Sequence, residues 1–331
     1  MPKDTGKEIT YLEAIRQALA EEMRRDPSVF IIGEDVGAYG GAFGVTKGLF
    51  EEFGEQRVID TPISEALIIG TATGAAMLGM RPVAEMQFAD FVSCGFDQVV
   101  NQAATTRYRM AGKVSVPWVI RMPSGGNIHG SMYHSQNPEG WFFHTPGLKI
   151  VCPSTPYDAK GLLKAAIRDN DPVLYFEYKY LYRRLKQVLP DEDYIVPLGK
   201  AEVRREGKDL TIIAYGVQAV HATTAAEQLA EDGIHCEVID LRSLCPLDRE
   251  AIRRSVEKTG KALITHEDWK CAGPGAEIAA MLAEEMFEHL DGPITRVASL
   301  DIPVPFSPPM EEYYLPTVEK IVEAARKLAA Y

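Results

Sequence analysis

Apolar residues recur along this chain with two different periods. Between residues 10 and 23, Leu12, Ile15, Leu19 and Met23 fall on one helical face. Thr10 and Glu13 stand at the head of that stripe with capping-box spacing, which predicts a helix start. Continuous apolar runs then occur at 29–32, 57–60, 81–87, 117–121, 148–151 and 173–177, each short enough for a strand. Helical patterns lie between them, one opening at Ser64, one over 89–109 and one over 156–168. Runs without polar alternation belong to strands covered on both faces, so a mostly parallel sheet flanked by helices is expected.

The rhythm breaks at 187–199, where Pro190 and Pro197 flank an acidic patch, and this stretch reads as a linker. Strands are expected again at 210–214, 236–240, 262–265 and 296–299, with helices at 220–231, 249–259, 276–289 and 317–329. The expected fold class is α/β, two doubly wound domains at 1–186 and 200–331 joined by 187–199. A length of 331 residues suits two such domains.

Charge and cysteine content narrow the function classes. Asp and Glu outnumber Lys and Arg by 47 to 35, a formal net charge of −12. An acidic surface argues against nucleic acid or an anionic membrane as partner. No segment reaches the roughly 18 apolar residues of a membrane span. Residues 1–7 carry no apolar signal region, so a cytoplasmic location is expected. Five cysteines, none in a Cys-x-x-Cys pair, suggest neither a disulfide framework nor zinc, and each reads as a small core residue. The glycine-rich stretch 37–44 lacks the Gly-Lys-Ser/Thr of a phosphate loop and reads as a mobile loop.

Three segments could carry chemistry. In Thr61-Pro62-Ile63-Ser64-Glu65-Ala66, Ser64 can cap a helix, and Glu65 falls in the first turn, where the helix dipole favours a carboxylate. The Gly- and Ala-rich helix behind it is expected to be buried and closely packed, against a partner helix or this chain's own sheet. A plain first-turn Glu is the alternative. The loop 124–136 carries His129 and His134 among Gly125, Gly126 and Gly130, beyond a strand end where open α/β sheets place ligands. Imidazoles transfer protons near neutral pH. A metal site is the weaker reading, because the local sequence supplies no further ligands. A solvated loop is the third. Gln87-Phe88-Ala89-Asp90-Phe91 ends another strand and offers aromatic faces to a flat ring, or simply to the core.

Taken in order, G-E-D-V at 33–36, T-P-I-S-E-A at 61–66, R-P-V-A-E-M-Q-F-A-D-F at 81–91, H-S-Q at 134–136, P-G-L-K-I-V-C-P-S-T-P-Y-D-A-K-G-L-L at 146–163 and D-L-R-S-L-C-P-L-D at 240–248 resemble one family over nearly the whole chain. It is the beta subunit of the thiamine-diphosphate-dependent 2-oxo acid dehydrogenases of the pyruvate, branched-chain and acetoin types. The resemblance implies a pyrimidine-binding domain followed by a transketolase-like C-terminal domain. It implies that Glu65 hydrogen-bonds N1′ of the cofactor's aminopyrimidine and so favours the imino tautomer, whose 4′-nitrogen takes the proton from thiazolium C2. By the same resemblance Ile63, Gln87 and Phe91 line the pyrimidine. His134 assists proton transfer as the acyl group passes to lipoamide, and His129 matches a second entrance histidine found in some members.

The resemblance also implies a structural potassium ion held by oxygens of Trp118, Ala166, Ile167, Asp169 and Asp171. Asp171 replaces the Asn common in the family, which keeps an oxygen but adds charge. The family's Mg2+ motif for the diphosphate begins Gly-Asp-Gly, and no Gly-Asp-Gly occurs here. An alpha subunit is therefore expected to hold the Mg2+, in a heterotetramer of two alpha and two beta chains serving a lipoyl-bearing dihydrolipoyl acyltransferase core. Phe91 matches pyruvate-type members and Tyr133-His134 branched-chain ones, so pyruvate is the first expectation for the small 2-oxo acid. Branched-chain 2-oxo acids and acetoin follow. A transketolase-like transferase and a non-catalytic scaffold are the rivals. The first usually carries its diphosphate domain in the same chain, and retention of Glu65 and His134 argues against the second.

Overall fold

The structure, a computed structural model, describes residues 8–331. Residues 1–7, read above for a signal region, lie outside the described residues. Two compact units emerge. One comprises the chain up to Ser124 together with His144–Leu198, the other Gly125–Phe143 together with Gly199–Tyr331. The loop bearing both candidate histidines thus belongs to the second unit, although in sequence it interrupts the first.

Six strands of the first unit run parallel, in the order Lys149–Val151, Val173–Tyr178, Val119–Ser124, Arg81–Glu85, Val29–Gly33 and Val58–Asp60. Their apolar runs are buried, as expected for strands covered on both faces. Helices Tyr11–Arg25 and Pro156–Arg168 pack together. The capping box forms as the spacing predicts. The Thr10 hydroxyl accepts the Glu13 N–H at 3.2 Å, and the Glu13 carboxylate accepts the Thr10 N–H at 2.8 Å.

Two expectations about this unit change. The single helix expected over 89–109 is three pieces, a 3₁₀ segment Ala89–Gly95, a π turn Gln98–Ala103 and a short α-helix Ala104–Arg109. A Cβ on Gly95 would stand 2.5 Å from Ile69 Cδ1, so this backbone lies directly on helix Glu65–Met77, and regular winding yields to that approach. Residues 187–198 pack rather than dangle. Lys186–Val188 pairs antiparallel with Glu8–Thr10, Leu189 clusters with Ile9 and Ala14, and Tyr194 stacks on Tyr157 at 4.4 Å.

In the second unit Thr295–Ser299, Ala262–Trp269, Leu210–Ala214 and Cys236–Asp240 run parallel, and Glu202–Arg205 closes the edge antiparallel. Helices Val217–Glu231 and Val318–Ala329 share a core containing Ala222, Ala226, Leu229, Ile321, Ala325 and Leu328. The strand expected at 262–265 continues to Trp269 and carries four buried polar residues, Thr265, His266, Glu267 and Asp268. Not every cysteine is a core residue. Cys152 and Cys236 are buried, but Cys94 and Cys271 are exposed. Among the described residues no helix is long and apolar enough to cross a membrane.

Candidate active site

At the carboxyl end of Val58–Asp60 the chain turns through Pro62 into helix Glu65–Met77. Ser64 caps this helix, its hydroxyl accepting the Leu67 N–H at 3.4 Å. Glu65 sits in the first turn, half-buried, where its charge meets the positive end of the helix. The helix is not buried all round. Ile68, Ile69, Ala72, Thr73 and Ala76 face inward, but Gly74 has open space where a Cβ would be, and Ile63 beside Glu65 is 82% exposed. Leu67, Met77 and Leu78 extend this uncovered apolar flank. Glu34, beyond the neighbouring strand, titrates above the ordinary carboxylate range because of burial and, next, the charge of Glu65.

Gln87 and Phe91 follow strand Arg81–Glu85, and Phe91 is fixed by rings. Its edge meets Phe88 at 5.9 Å, Phe88 meets Phe43 at 5.3 Å, and Phe43 meets Tyr182 at 5.4 Å. Phe43 belongs to the glycine-rich loop, so that loop is anchored and not free. The Gly37 N–H donates to Asp60 Oδ1 at 2.6 Å, and the Gly41 N–H to the Asp35 carbonyl at 2.7 Å. The periodic pattern had placed no weight on Phe43, because nothing local shows that a loop ring completes a chain of rings.

Below these residues lies a buried charge cluster that the sequence reading missed. Arg121, fully buried, pairs with Glu85 and with Glu177 at 2.7 Å, and Tyr182 donates to Glu177 at 2.9 Å. Burial opposes the guanidinium charge, but the two glutamates hold its pKa above the usual value. Burial raises Glu85, against the pull of Arg121. The signal available in sequence was a charged residue inside each of three apolar strand runs.

In the second unit the histidine loop is closed at its neck by the Gly125 N–H to the Gln136 carbonyl, 3.2 Å. Two buried carboxylates hold it, and a third holds the short helix Glu139–Phe143 that follows. Glu267 accepts from the Gly126 N–H at 2.7 Å, and Asp268 from the Gly140 N–H of that helix at 3.0 Å. Glu311 accepts from the N–H groups of Asn127 and His129 at 3.1 and 3.3 Å. A Cβ on Gly126 would lie 3.2 Å from both Glu267 and Glu311, so a side chain here would press on both carboxylates. Burial lifts the Asp268 carboxyl to about 7. His134 sits on this loop half-buried, its N–H donating to the Ser131 carbonyl at 3.2 Å.

The five residues expected around a potassium ion gather at the start and end of two first-unit segments. The carbonyls of Ile167 and Asp169 both accept from Arg81 Nη1, at 2.9 and 2.7 Å. The Trp118 carbonyl accepts the Val173 N–H at 3.0 Å, and the Ala166 carbonyl the Asp169 N–H at 3.2 Å. Lys149 pairs with Asp169 at 2.7 Å and Asp171 at 3.2 Å. Neutral carbonyl oxygens aimed at a positive charge suit a large monovalent cation, and each carbonyl keeps a second lone pair beside its present donor. Among the described residues no group of three His, Cys, Asp or Glu is placed to hold a metal.

Comparison with known proteins sets the class first. Residues 7–184 match the transketolase pyrimidine-binding domain and residues 199–321 the transketolase C-terminal domain. A split-gene transketolase, an inactive β4 tetramer, superposes with a TM-score of 0.80 at 25% identity, over 97% of this chain and 98% of that one. A Pichia stipitis transketolase shares the fold at 16% identity and a TM-score of 0.71, over 99% of this chain but 47% of its own.

The chain belongs to the beta subunits of the 2-oxo acid dehydrogenase E1 components. It is 52% identical to the 2-oxoisovalerate dehydrogenase subunit beta of Bacillus subtilis, over 98% of this chain and 99% of that one. Identity is 48% to the beta subunit of the B. subtilis acetoin:2,6-dichlorophenolindophenol oxidoreductase, over 97% of each. It is 47% to the pyruvate dehydrogenase E1 subunit beta of Staphylococcus epidermidis, over 96% of this chain and 98% of that one.

Proposed function

We propose that this chain, with an alpha subunit, catalyses oxidative decarboxylation of a small 2-oxo acid and transfer of the acyl group to lipoamide. The observation that carries this reading is Glu65, a carboxylate at a capped helix N-terminus beside the exposed apolar side chain of Ile63. Thiamine diphosphate, when bound, supplies the electron sink for loss of CO2. Glu65 holds and returns a proton at the aminopyrimidine N1′, while Ile63, Gln87 and Phe91 offer the pyrimidine an apolar and amide-lined seat. His134 supplies the proton exchanged during acyl transfer.

The uncovered flank along helix Glu65–Met77 and the missing Gly-Asp-Gly motif support a partner that brings the diphosphate and Mg2+, in an α2β2 assembly docked on a lipoyl-bearing acyltransferase core. The inactive β4 tetramer of the split transketolase accords with this. On substrate, identity favours a branched-chain 2-oxo acid, at 52% against 47% for the pyruvate relative. The Tyr133-His134 pair agrees, and pyruvate, suggested by Phe91, is the alternative. Potassium would share the Ile167 and Asp169 carbonyls with Arg81, and a cytoplasmic location completes the reading.

The test is co-expression with the alpha chain and assay of 2-oxoisovalerate, pyruvate and acetoin with an artificial electron acceptor. Preference for acetoin, or turnover by the beta chain alone, sinks the proposal. His134→Ala separates the steps, and loss confined to decarboxylation would remove His134 from acyl transfer. Replacing potassium by N-methylglucamine lowers the melting temperature if the carbonyl cluster binds the ion.

A further inference from the structure

We infer that Glu311 is a positioning residue for His129, fixing which imidazole nitrogen faces outward from the loop. Glu311 sits on the short helix Pro308–Tyr314 and is 1% exposed. Its Oε2 lies 2.7 Å from His129 Nδ1 and 3.3 Å from the His129 backbone N–H, while Oε1 takes the Asn127 N–H at 3.1 Å. Two backbone donors already point at this group, and a carboxylate only accepts. Nδ1 is therefore the protonated nitrogen of the neutral ring, and Nε2, on a side chain 51% exposed, is the free position.

The backbone is shaped for this arrangement. Asn127, His129 and Ser131 have φ of +61°, +57° and +61°, a left-handed conformation at every second residue. Such alternation turns successive N–H groups into a concavity that binds an anion, and Glu311 supplies the anion. The conformation is costly for non-glycine residues, so the loop holds this shape because the carboxylate over-determines it. Removing the carboxylate thus frees both the ring and the backbone beneath it.

The inference rests on the proposed acyl-transfer activity only in giving His129, as a second entrance histidine, a part in that step; how His129 is held stands apart from it. Long-range proton–nitrogen spectra of the full chain, labelled with 15N-histidine and assigned with His129→Gln, read the ring directly. The wild-type neutral ring shows Nδ1–H, Glu311→Gln loses that signature, and Glu311→Asp restores part of it. An Nε2–H ring in the wild type, or an unchanged ring in Glu311→Gln, overturns the inference. In the assembled enzyme Glu311→Gln slows acyl transfer to lipoamide roughly tenfold, a share of the ~10²-fold that a positioned general base contributes. The loss falls on turnover more than on the lipoamide KM, and more on acyl transfer than on decarboxylation. Equal loss in both steps with a lowered melting temperature marks a merely structural role. Full acyl transfer in His129→Gln, with the tautomer still governed by Glu311, overturns the role of His129 and leaves its positioning by Glu311 intact.

Discussion

Glu65 and His129 both follow the carboxyl ends of parallel strands, yet they are held in opposite ways. Glu65 stands on a regular helix with a conventional Ser64 cap, and its flank of Ile63, Leu67 and Leu78 is bare. His129 stands on irregular backbone with alternating positive φ, and its support is made by acids of its own unit. Regular structure satisfies its own hydrogen bonds and leaves apolar surface for a partner. Irregular backbone exposes N–H groups that must be met at once, so its supports are built into the same chain.

The hardest blow to the first region is Glu65→Gln. The amide cannot exchange a proton, so decarboxylation falls by roughly 10²–10⁴-fold while the melting temperature stays near wild type. Steady-state turnover of the assembled enzyme checks this, and full activity would dissolve the contrast. Next comes Arg121→Met, which leaves Glu85 and Glu177 buried without their cation and costs about 3–5 kcal/mol in urea unfolding. A loss under about 1 kcal/mol would mean that these carboxylates are reached by water.

Two smaller tests probe the second region. Gly126→Ala places a methyl against Leu315, Glu267 and Glu311, and costs about 1–3 kcal/mol by loosening the loop. No change would show that the clamp yields without strain. The Asp268 carboxyl, lifted by burial to about 7, keeps its proton in the folded chain where the unfolded chain has lost it. Folding therefore takes up a proton between about pH 4 and 7, and stability falls as pH rises through that window. Asp268→Asn flattens the fall, by on the order of 1 kcal/mol, in melting curves at pH 5 and 8. Parallel curves would exclude Asp268 as the source.

Much of the fold was legible because hydrophobic period follows directly from backbone geometry. Pro156–Arg168, Leu210–Ala214, Cys236–Asp240 and Arg249–Thr259 have the bounds the pattern predicts. Glu202–Arg205 was not legible, because an edge strand of Glu-Val-Arg-Arg shows no apolar run, and its Arg204 is secured by the distant Asp240 at 2.7 Å. Of the candidate site, Glu65 was readable from its cap and helix, and the two histidines from their glycine setting.

The chain's own order of residues thus determined most of the strands and helices with apolar runs or stripes, where Glu65 enters a helix, and which family pattern the motifs follow. Those properties depend on neighbours a few residues apart. Tertiary structure alone decided that Phe43 completes a ring chain to Phe91, that Arg121 joins Glu85 to Glu177, and that Glu311 meets a loop more than 170 residues earlier, at Asn127 and His129. Each of these is a contact between polar or aromatic groups remote in sequence. A carboxylate far along the chain carries no local mark of the N–H group it will meet, because the energy that selects it, satisfaction of a buried donor, exists only once the chain has closed around both.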